Sequence, residues 1–583
     1  MIKVVVTIVD TVGIQDYIFG SNRLRENIGA SYLVEQATRG WVYQELDKHF
    51  KHNVADPETG EIDRQRKVED GELTAELIYA GGGNTTILFY CPEEGDPKAA
   101  AKKFAWELST RILCEAPGLE IVIAHSEPFD WKPDAKDLYS EVEKAREFTT
   151  RKKRSRQATL TPLFGLGVTA ECASTGLVAA QMSRKHQEPE PRLVSREIIA
   201  KLDSRDDAKK RLVEIISGIE GYEKFRLSDE LDQLGRIGGE ESYIAVVHID
   251  GNEMGKLFSE CGKSATDNRN YIEKVRQLSK GVDEASRRAI RAMYRSLSAH
   301  INPPHQKTKG QWPIKEAVPE KWVAVERRDL SQRKQFDLFQ DREKEDRRPC
   351  WPVRPIVYGG DDVTFVCNGQ LGLSLAEIYM REFTRQTTDE KLCGVSIHTG
   401  AGVCIVKVHY PFRRAYKLSE ALTGSAKSSL GDDKHNASAI DWHISATGLG
   451  GDVGSIRKRE YTVKQGSLLM RPVRLDRNSE WRTLENFNRL VARFNYDTDW
   501  AGRRNKLKEL REVLRGGIEV VELFLRTSGI SLPVLDESKS DLHEKGWKDR
   551  RCVYFDAIEA MDHHFLLKEA VDGDSGRTTE VEV

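Results

Sequence analysis

Along the first 130 residues, the spacing of the apolar positions alternates between strand-like runs and helical periodicity. A β-branched apolar run comes first, apolar positions at helical spacing follow, and two further apolar runs flank a glycine-rich turn. Such runs predict strands, and the turn between two of them predicts a hairpin. The predicted elements are a strand at 2–9, a helix containing Ile28, Tyr32 and Leu33, strands at 76–79 and 86–90, a helix at 97–114 and a strand at 119–124. The order β-α-β-β-α-β is that of a ferredoxin-like unit.

The same order of periods returns in the second half of the chain. Its elements are a strand at 243–249, a helix at 270–300, hairpin strands at 355–358 and 363–367, a helix at 371–385 and a strand within 395–406. The turn of the first hairpin reads Gly81-Gly82-Gly83-Asn84, and the turn of the second reads Gly359-Gly360-Asp361-Asp362. We interpret the two units as an internal duplication, whose first copy lacks the two acids of the second.

The regions outside these units have mainly helical patterns. Residues 131–240 are charged and mostly helical, and residues 441–583 are helical, most clearly at 503–526 and 553–567. The predicted fold class is therefore α+β, with ferredoxin-like (βαββαβ) domains at 1–130 and 241–440, a helical linker domain and a helical C-terminal domain. A polar insertion at about 301–350 interrupts the second unit, and its charged stretch 326–348 predicts a surface lobe.

Composition and charge narrow the classes of function. The formal net charge is −2 over 583 residues, which argues against a protein whose main task is to coat nucleic acid. Nine cysteines without a Cys-x-x-Cys pair favour reduced thiols over a disulfide framework. No apolar run reaches the roughly 18–20 residues that span a bilayer, and the first residues read as a strand rather than a signal peptide. We expect a cytoplasmic protein that makes no membrane contact.

Three aspartates are predicted to meet at one end of the second sheet. Asp361 and Asp362 form the tip of its hairpin, and Asp250 follows its first strand. In a ferredoxin-like sheet that strand lies beside the hairpin, so the three carboxylates come together although they are far apart in sequence. Close carboxylates repel each other, and hard cations remove this cost. The trio therefore predicts a site for Mg²⁺ or Mn²⁺, with two ions about 3.5–4 Å apart. Taken alone, Gly-Gly-Asp-Asp is more often a hairpin turn with solvated acids.

The residues after Asp250 are suited to a polyphosphate. Glycines let the backbone approach phosphate oxygens, and the next helix is expected to begin here with free N–H groups. The predicted nucleotide-binding residues include the glycines of the acidic turn and are Gly251, Asn252, Met254, Gly255, Gly359 and Gly360.

A longer series of motifs resembles a known family. It comprises Ile14-Gln15-Asp16-Tyr17-Ile18-Phe19, the stretch 24–31, the turn 81–84, Asp250-Gly251-Asn252 with Met254-Gly255, the turn 359–362, Tyr410-Pro411 with Ala426-Lys427, and Leu469-Met470-Arg471-Pro472. In this order they resemble the large, polymerase-like subunit of type III CRISPR effector complexes, which has two palm domains.

This resemblance implies an activity and a role for particular residues. In the family the second palm makes short oligonucleotide signals from ATP. The resemblance implies metal-ligand roles for Asp250, Asp361 and Asp362, and a triphosphate contact for Lys427 and for the backbone of 252–255. Without it, a solvated position on a helix is almost as good an interpretation of Lys427.

The sequence also departs from the family pattern. Asn252 stands where the family often has an acid, and the chain begins at the palm strand without a His-Asp nuclease domain. The paired cysteines of the family's zinc knuckle are reduced to Cys172, so we expect a degenerate knuckle without zinc. Asp562-His563-His564 lacks partners for a nuclease site. We therefore expect a compact or stand-alone relative from phage defence.

Three functions are compatible with these features. The first is a metal-dependent nucleotidyltransferase that joins nucleoside triphosphates into a cyclic or linear oligonucleotide second messenger and releases pyrophosphate. Its expected partners are NTP or dNTP substrates, a separate effector protein that senses the product, and a second copy of the chain. The second is a non-catalytic or nucleotide-sensing scaffold of an RNA-guided CRISPR complex, which would bind RNA and CRISPR subunits. The third, a stand-alone dinucleotide cyclase, is less compatible with a doubled palm.

Three further features have a structural and a functional interpretation. The basic run 151–156 is expected to be a solvated loop, with RNA or phosphate binding as the alternative. Trp312, Trp322 and Trp351 are expected to pack in a lobe, with base stacking as the alternative. His248 is expected to be a satisfied strand histidine.

Overall fold

The computed structural model describes most of the chain. It covers residues 2–91, 95–157, 167–184, 191–235, 242–302, 312–319, 322, 334–340, 346–445, 451–476, 481–535 and 545–569. Of the charged stretch 326–348, only 334–340 and 346–348 lie within these ranges, so the predicted surface lobe is mostly outside the described residues. Helices and strands mix throughout, and the predicted α+β class is confirmed.

The first palm is an antiparallel sheet in ferredoxin order. Its strands are β1 (Lys3–Val12), β2 (Ala75–Gly81), β3 (Asn84–Tyr90) and β4 (Glu120–His125). They lie in the order β2-β3-β1-β4, with a two-residue strand, Phe129–Asp130, pairing with the start of β1. The central strand β1 is almost wholly buried, because its β-branched residues pack on both faces.

The second palm repeats this order and extends it. Its strands are β5 (Tyr243–Gly251), β6 (Val353–Val357), β7 (Val363–Asn368), β8 (Thr399–Lys407), β9 (Ala439–Ser445) and β10 (Val473–Arg474). The sheet order is β6-β7-β5-β8-β9-β10, and β9 runs parallel to β8. The first four strands in this order therefore reproduce the first palm, as the duplication predicts.

Helices cover both sheets. Those of the first palm are α1 (Ile14–Phe19), α2 (Leu24–Thr38), α3 (Gly40–His49) and α4 (Pro97–Glu115), and those of the second are α8 (Met254–Lys263), α9 (Asn268–His300), α10 (Gly372–Thr388) and α11 (Phe412–Ser429). Helix α11 lies directly on β8. A Cβ atom on Gly402 would stand 2.0 Å from the backbone oxygen of Ser419, so this strand position tolerates no side chain.

The segment between the palms is mainly helical. It contains α5 (Leu138–Gln157), α6 (Arg196–Asp203), α7 (Arg205–Ile216), a short helix Asp232–Gly235 and a strand pair, Gln181–Met182 and Leu193–Val194. The basic run 151–156 belongs to α5, so the expected loop is wrong. Lys152 donates to the carbonyl of Ile123, and Lys153 pairs with Asp10 at 2.6 Å.

The C-terminal region differs from its prediction in three places. Its helices are α12 (Val453–Glu460), α13 (Leu484–Tyr496), α14 (Arg504–Arg515), α15 (Ile518–Ser528) and α16 (Phe555–Ala560). The predicted helix 503–526 is two helices, because Gly517 has φ 91°. The predicted helix 553–567 is limited to α16. Two-residue strands, Thr462–Val463, Gly466–Ser467, Trp547–Lys548 and Arg551–Cys552, form a small sheet that the helical prediction missed.

The hairpin turns of the two palms face each other. A Cβ atom on Gly360 would lie 3.8 Å from the Cα of Gly82. Both glycines have positive φ, 122° and 58°, which the tight turns require. Between the turns is a small cavity of about 120 Å³, lined among others by Ile14, Gly83 and Asp361.

Candidate active site

The three predicted aspartates meet at the end of the second palm's central strands. Val363 pairs with Ile249, so Asp362 lies beside Asp250 at the next position of this ladder. A Cβ atom on Gly251 would stand 2.9 Å from the Cβ of Asp361. The turn therefore brings Asp361 against the strand end that carries Asp250, and only a glycine leaves room for this approach.

Lys427 completes the group from the last turn of α11. Its Nζ donates to Asp250 Oδ2 at 2.6 Å and to the carbonyl of Gly251 at 2.7 Å. The stem of this lysine crosses β8 at Gly400, where a Cβ atom would stand 2.4 Å from Lys427 Cγ. A glycine in the strand is therefore what lets a helical lysine reach the strand-end carboxylate.

The turn carboxylates are shifted towards their protonated forms. Burial raises the pKa of Asp361 to about 7, and the charges of Asp250 and Asp362 add to the shift. Burial and the charge of Asp250 raise the pKa of Asp362 to about 8. The side chain of Asp362 is still 36% exposed, on the side of the cleft. Two carboxylates with raised pKa values beside a third are a costly arrangement, which a bound cation would relieve.

The chemistry of these donors fits a hard divalent ion, although they are not gathered around one point. Within the described ranges, no group of three or more His, Cys, Asp or Glu side chains is arranged to hold a metal ion. At this site Asp250 is paired with Lys427. Asp362 Oδ1 is buried without a hydrogen-bond partner among the described residues, which leaves it available as a ligand.

The strand end leads into the predicted phosphate-binding turn. Glu253 has φ 55°, a left-handed conformation that is uncommon for a side chain of this size. Helix α8 begins at the next residue, and the N–H groups of Lys256 and Leu257 bond to the carbonyl of Glu253. The first N–H groups of a helix lack intrahelical acceptors, and here these belong to Met254 and Gly255.

Asn252 does not have the environment predicted for a phosphate contact. Its backbone N–H donates to the carbonyl of His398 at 2.8 Å, and its side-chain Nδ2 donates to the carbonyls of Lys434 and Ala437. These bonds fix the segment that joins α11 to β9. In this structure, the side chain of Asn252 shapes the site through these backbone carbonyls.

A network of charged residues contacts the acidic turn at Tyr358 and Gly359. Arg211 of α7 donates to the carbonyl of Tyr358 at 2.9 Å and stacks on its ring at 4.2 Å. Arg211 also pairs with Glu35, and Arg39 pairs with Asp283 at 3.2 Å. A Cβ atom on Gly359 would stand 3.0 Å from Asp283 Oδ1. Gly359 and Gly360 therefore serve the close packing of the turn between three domains.

Comparison of the two palms identifies residues that the sequence interpretation missed. In the first palm Asp10 pairs with Asn84, so Asp10 is the counterpart of Asp250 and Asn84 that of Asp362. The ion pair of Asp10 with Lys153 repeats that of Asp250 with Lys427, with the same 2.6 Å distance. Aligning the duplicated strands, rather than the turns alone, would have indicated that the first palm keeps one acid.

The central strand supplies a further neighbour of Asp362. His248 Nδ1 lies 3.3 Å from its Oδ1. His248 Nδ1 is also 3.0 Å from Thr364 Oγ1, and burial lowers the pKa of the ring, so the histidine is neutral. Its expected role as a satisfied strand histidine agrees with these contacts, and its position next to a candidate ligand adds to it.

The remaining sequence candidates lie away from this site. Cys172 is buried in a tight turn, where the N–H of Gly176 donates to its carbonyl. Trp351 is 1% exposed and packs against Phe225 and Tyr294. It is therefore a core residue, which agrees with the expected packing role and not with base stacking. No helix of the described residues combines the length and apolarity needed to cross a bilayer.

Comparison with known proteins relates this geometry to a family. Residues 243–437 match the family model described as Cas10/Cmr2, second palm domain. No curated protein matches the sequence. This match confirms the resemblance of the second palm to the large subunit of type III CRISPR complexes.

Solved structures share the fold along nearly the whole chain. A Csm1–Csm4 cassette in complex with cA4 is 13% identical, with a TM-score of 0.51, and the match covers 96% of this chain and 70% of that chain. Cassettes in complex with one ATP and with pppApApA are 14% and 13% identical, each with a TM-score of 0.50 and coverages of 96% and 69%. At such identities the likeness establishes the fold.

Proposed function

We propose that the protein is a metal-dependent nucleotidyltransferase that joins nucleoside triphosphates into a short cyclic or linear oligonucleotide and releases pyrophosphate. The product would act as a second messenger in defence against phage. The observation that supports this most is the meeting of Asp250, Asp361 and Asp362 at adjoining strand ends, inside the segment that matches the Cas10/Cmr2 second palm.

The proposal gives each group at the site a role. Asp361 and Asp362 would hold the metal with Asp250, and bound Mg²⁺ or Mn²⁺ would stabilise the attacking 3′-oxygen and the leaving pyrophosphate. The N–H groups of Met254 and Gly255 would face the phosphates at the start of α8. A triphosphate would offer Lys427 a more highly charged partner than Asp250, which would free the third carboxylate.

ATP is the substrate that we propose to test first. The matched solved structures hold cA4, one ATP or pppApApA, and these ligands belong to those proteins. We extend them to this chain only as a proposal, together with a separate effector protein that senses the product. The first palm would bind the acceptor nucleotide across the cleft, since it presents an uncharged turn to the acidic one.

The alternative is a nucleotide-sensing scaffold of an RNA-guided complex. It is favoured by the ion pair that occupies Asp250, since a site without chemistry could keep this pair permanently. The matched structures are of cassettes with Csm4, so a partner subunit is the corresponding proposal. Co-purification with a small RNA and partner subunits, without product formation, would support this alternative.

The reaction is tested by incubating the purified protein with ATP and with mixed NTPs in Mg²⁺ or Mn²⁺. We expect pyrophosphate release and oligonucleotide products identifiable by mass spectrometry. The Asp361→Asn/Asp362→Asn variant should lose this activity, whereas Glu390→Gln, an exposed acid outside the site, should retain it. Absence of pyrophosphate in every nucleotide mixture, or equal activity of the double variant, would refute the proposal.

A further inference from the structure

An arginine holds the hairpin turn of each palm at the same position. The strand register that matches the ends of the two turns also matches Ala80 with Tyr358. The carbonyl of Ala80 accepts from Arg39 Nε at 3.1 Å, and the carbonyl of Tyr358 accepts from Arg211 Nη2 at 2.9 Å. Both palms therefore have the same hydrogen bond, although Arg39 directly follows α2 and Arg211 belongs to α7 of the linker segment.

A single carboxylate joins these two arginines. Glu35, in the last turn of α2, pairs with Arg211, and its Oε1 lies 3.7 Å from Arg39 Nη1. Arg39 Nη1 also lies 3.2 Å from Asp283 Oδ1 on α9. The side chains of Glu35, Arg39 and Arg211 are mostly buried, and we call these three residues the arginine bridge. A carboxylate between two guanidinium groups binds both, so the bridge connects the neutral turn with the acidic one.

The arginine bridge borders a large cavity. Its volume is about 1050 Å³, and Glu35, Arg39 and Arg211 all contribute to its wall. The other lining side chains are mainly polar or charged, for example Glu61 and Arg276. Hydrogen bonds and ion pairs, more than apolar packing, therefore fix the bridge on this side.

Arg211 is the member of the bridge that contacts the acidic turn. Its guanidinium lies 4.2 Å from the ring centroid of Tyr358, and a Cβ atom on Gly359 would stand 3.2 Å from its Nη2. These two residues lead directly to Asp361 and Asp362. The planar arginine fork donates in two directions at once, here to a backbone carbonyl and to the carboxylate of the bridge. Its loss would therefore release the chain that carries two of the candidate metal ligands.

We infer that Arg211 is a positioning residue, which holds Asp361 and Asp362 in place for metal binding, and that Glu35 and Arg39 tie this position to the first palm. The consequence for catalysis rests on the proposed function, whereas the consequence for metal binding stands without it. Groups that contact a metal ligand directly typically contribute about 10–100-fold to affinity. Arg211 acts through the backbone of the turn, so its effect should be smaller.

The test measures binding of Mn²⁺ alone to the full chain by electron paramagnetic resonance. Arg211→Met removes the guanidinium at similar length, and we expect it to weaken Mn²⁺ binding about threefold to tenfold. Arg211→Lys keeps the charge without the fork, so its affinity should lie between those of Arg211→Met and the wild type. Arg39→Met should weaken binding less than Arg211→Met, because Arg39 reaches the acidic turn only through other side chains.

Lys210→Met is the matched control. It removes one positive charge from the neighbouring position of α7, where the ion pair with Asp207 is exposed. We expect wild-type Mn²⁺ affinity for this variant. If Arg211→Met fails to fold, Arg211→Lys takes its place in the comparison. Wild-type affinity in the folded Arg211 variants, or an equal loss in Lys210→Met, would overturn the inference.

Product formation separates this inference from the proposed reaction. In an active protein, Arg211→Met should lose activity at low Mn²⁺ and regain it as the Mn²⁺ concentration rises, since the defect lies in metal binding. Activity that stays low at every Mn²⁺ concentration would contradict the positioning role. If the wild type makes no product yet binds Mn²⁺ in an Arg211-dependent manner, the proposed reaction fails and the positioning role stands.

Discussion

At the scale of residues, the site combines three carboxylates with a single lysine. Asp361 and Asp362 are the members with raised pKa values, about 7 and about 8, from burial first and from the charge of Asp250. Their folded pKa values lie above those of an unfolded chain, which are about 4. Their stabilising contribution is therefore complete in acid and is lost as the pH rises through the folded values.

The first prediction follows from this direction. In the presence of a chelator, the melting temperature of the wild type should fall between about pH 4 and pH 8. Asp361→Asn/Asp362→Asn should remove most of this fall, and Mn²⁺ should reverse it in the wild type only. Differential scanning fluorimetry across this range measures all three curves. A chelated wild type whose melting temperature is flat with pH would contradict the assignment of the shifts.

Some features of this site could be predicted from the sequence, and others could not. The meeting of Asp250 with the turn follows from strand order alone, since a ferredoxin-like sheet puts the first strand beside the hairpin. The ion pair with Lys427 could not be derived in this way, because the lysine reaches Asp250 only across Gly400. The environment of Asn252 could not be predicted from the sequence either, because its side-chain amide donates to the carbonyls of Lys434 and Ala437.

At the scale of elements, the site depends on how α11 lies on β8. Gly400 gives Lys427 its path, and a Cβ atom there would overlap the stem at 2.4 Å from Cγ. Lys427 can rotate away, because every atom that the Cβ would meet belongs to its side chain and none to the backbone. Gly400→Ala should therefore displace the ammonium group without unfolding the palm.

For Gly400→Ala we predict a several-fold rise in the KM for ATP, with a change in the free energy of unfolding below about 1 kcal/mol. Gly424→Ala, on the exposed face of the same helix, is the control. A Cβ atom there meets nothing within 4 Å, and alanine in a helix should stabilise by about 0.5–1 kcal/mol. Steady-state kinetics and urea denaturation separate the two effects. An unchanged KM in Gly400→Ala would show that Lys427 makes no substrate contact.

Helix patterns were predictable where one face is apolar throughout, as in α4 and α9. The prediction failed in the C-terminal region, where residues 516 and 517 divide one amphipathic pattern into two helices. Helical periodicity continues across such a break because the two apolar faces pack on the same core. Only the backbone conformation of Gly517 separates them.

At the scale of the whole molecule, the C-terminal region is joined to the second palm by a buried ionic cluster. Arg471 is 1% exposed, and its Nη1 lies 3.0 Å from both Asp556 Oδ1 and Glu559 Oε2. Its guanidinium also lies 5.4 Å from the ring centroid of Trp442 on β9. Asp556 Oδ2 in turn accepts from the backbone N–H groups of Met470 and Arg471.

Removing one partner of this cluster should therefore be costly. Arg471→Met leaves Asp556 buried without its cation, and we predict a loss of about 3–5 kcal/mol in the free energy of unfolding. Arg474→Met is the control, because its ion pairs with Asp433 and Asp476 are partly exposed and should contribute less than about 1 kcal/mol each. Urea denaturation followed by tryptophan fluorescence measures both. Equal losses in the two variants would contradict the importance of burial.

The facing turns of the palms have a consequence for how the duplicated halves fit together. If Gly83 and Asn84 were aspartates like their counterparts Asp361 and Asp362, both turns would carry two acids across one narrow cleft. At separations near 8 Å and an effective dielectric constant of about 20, each facing pair of charges would cost about 2 kcal/mol. Four such pairs would approach the whole stability of a typical domain. The neutral turn of the first palm is thus a condition for the close apposition of the halves: electrostatic repulsion favours a duplicated protein of this shape in which only one half is acidic.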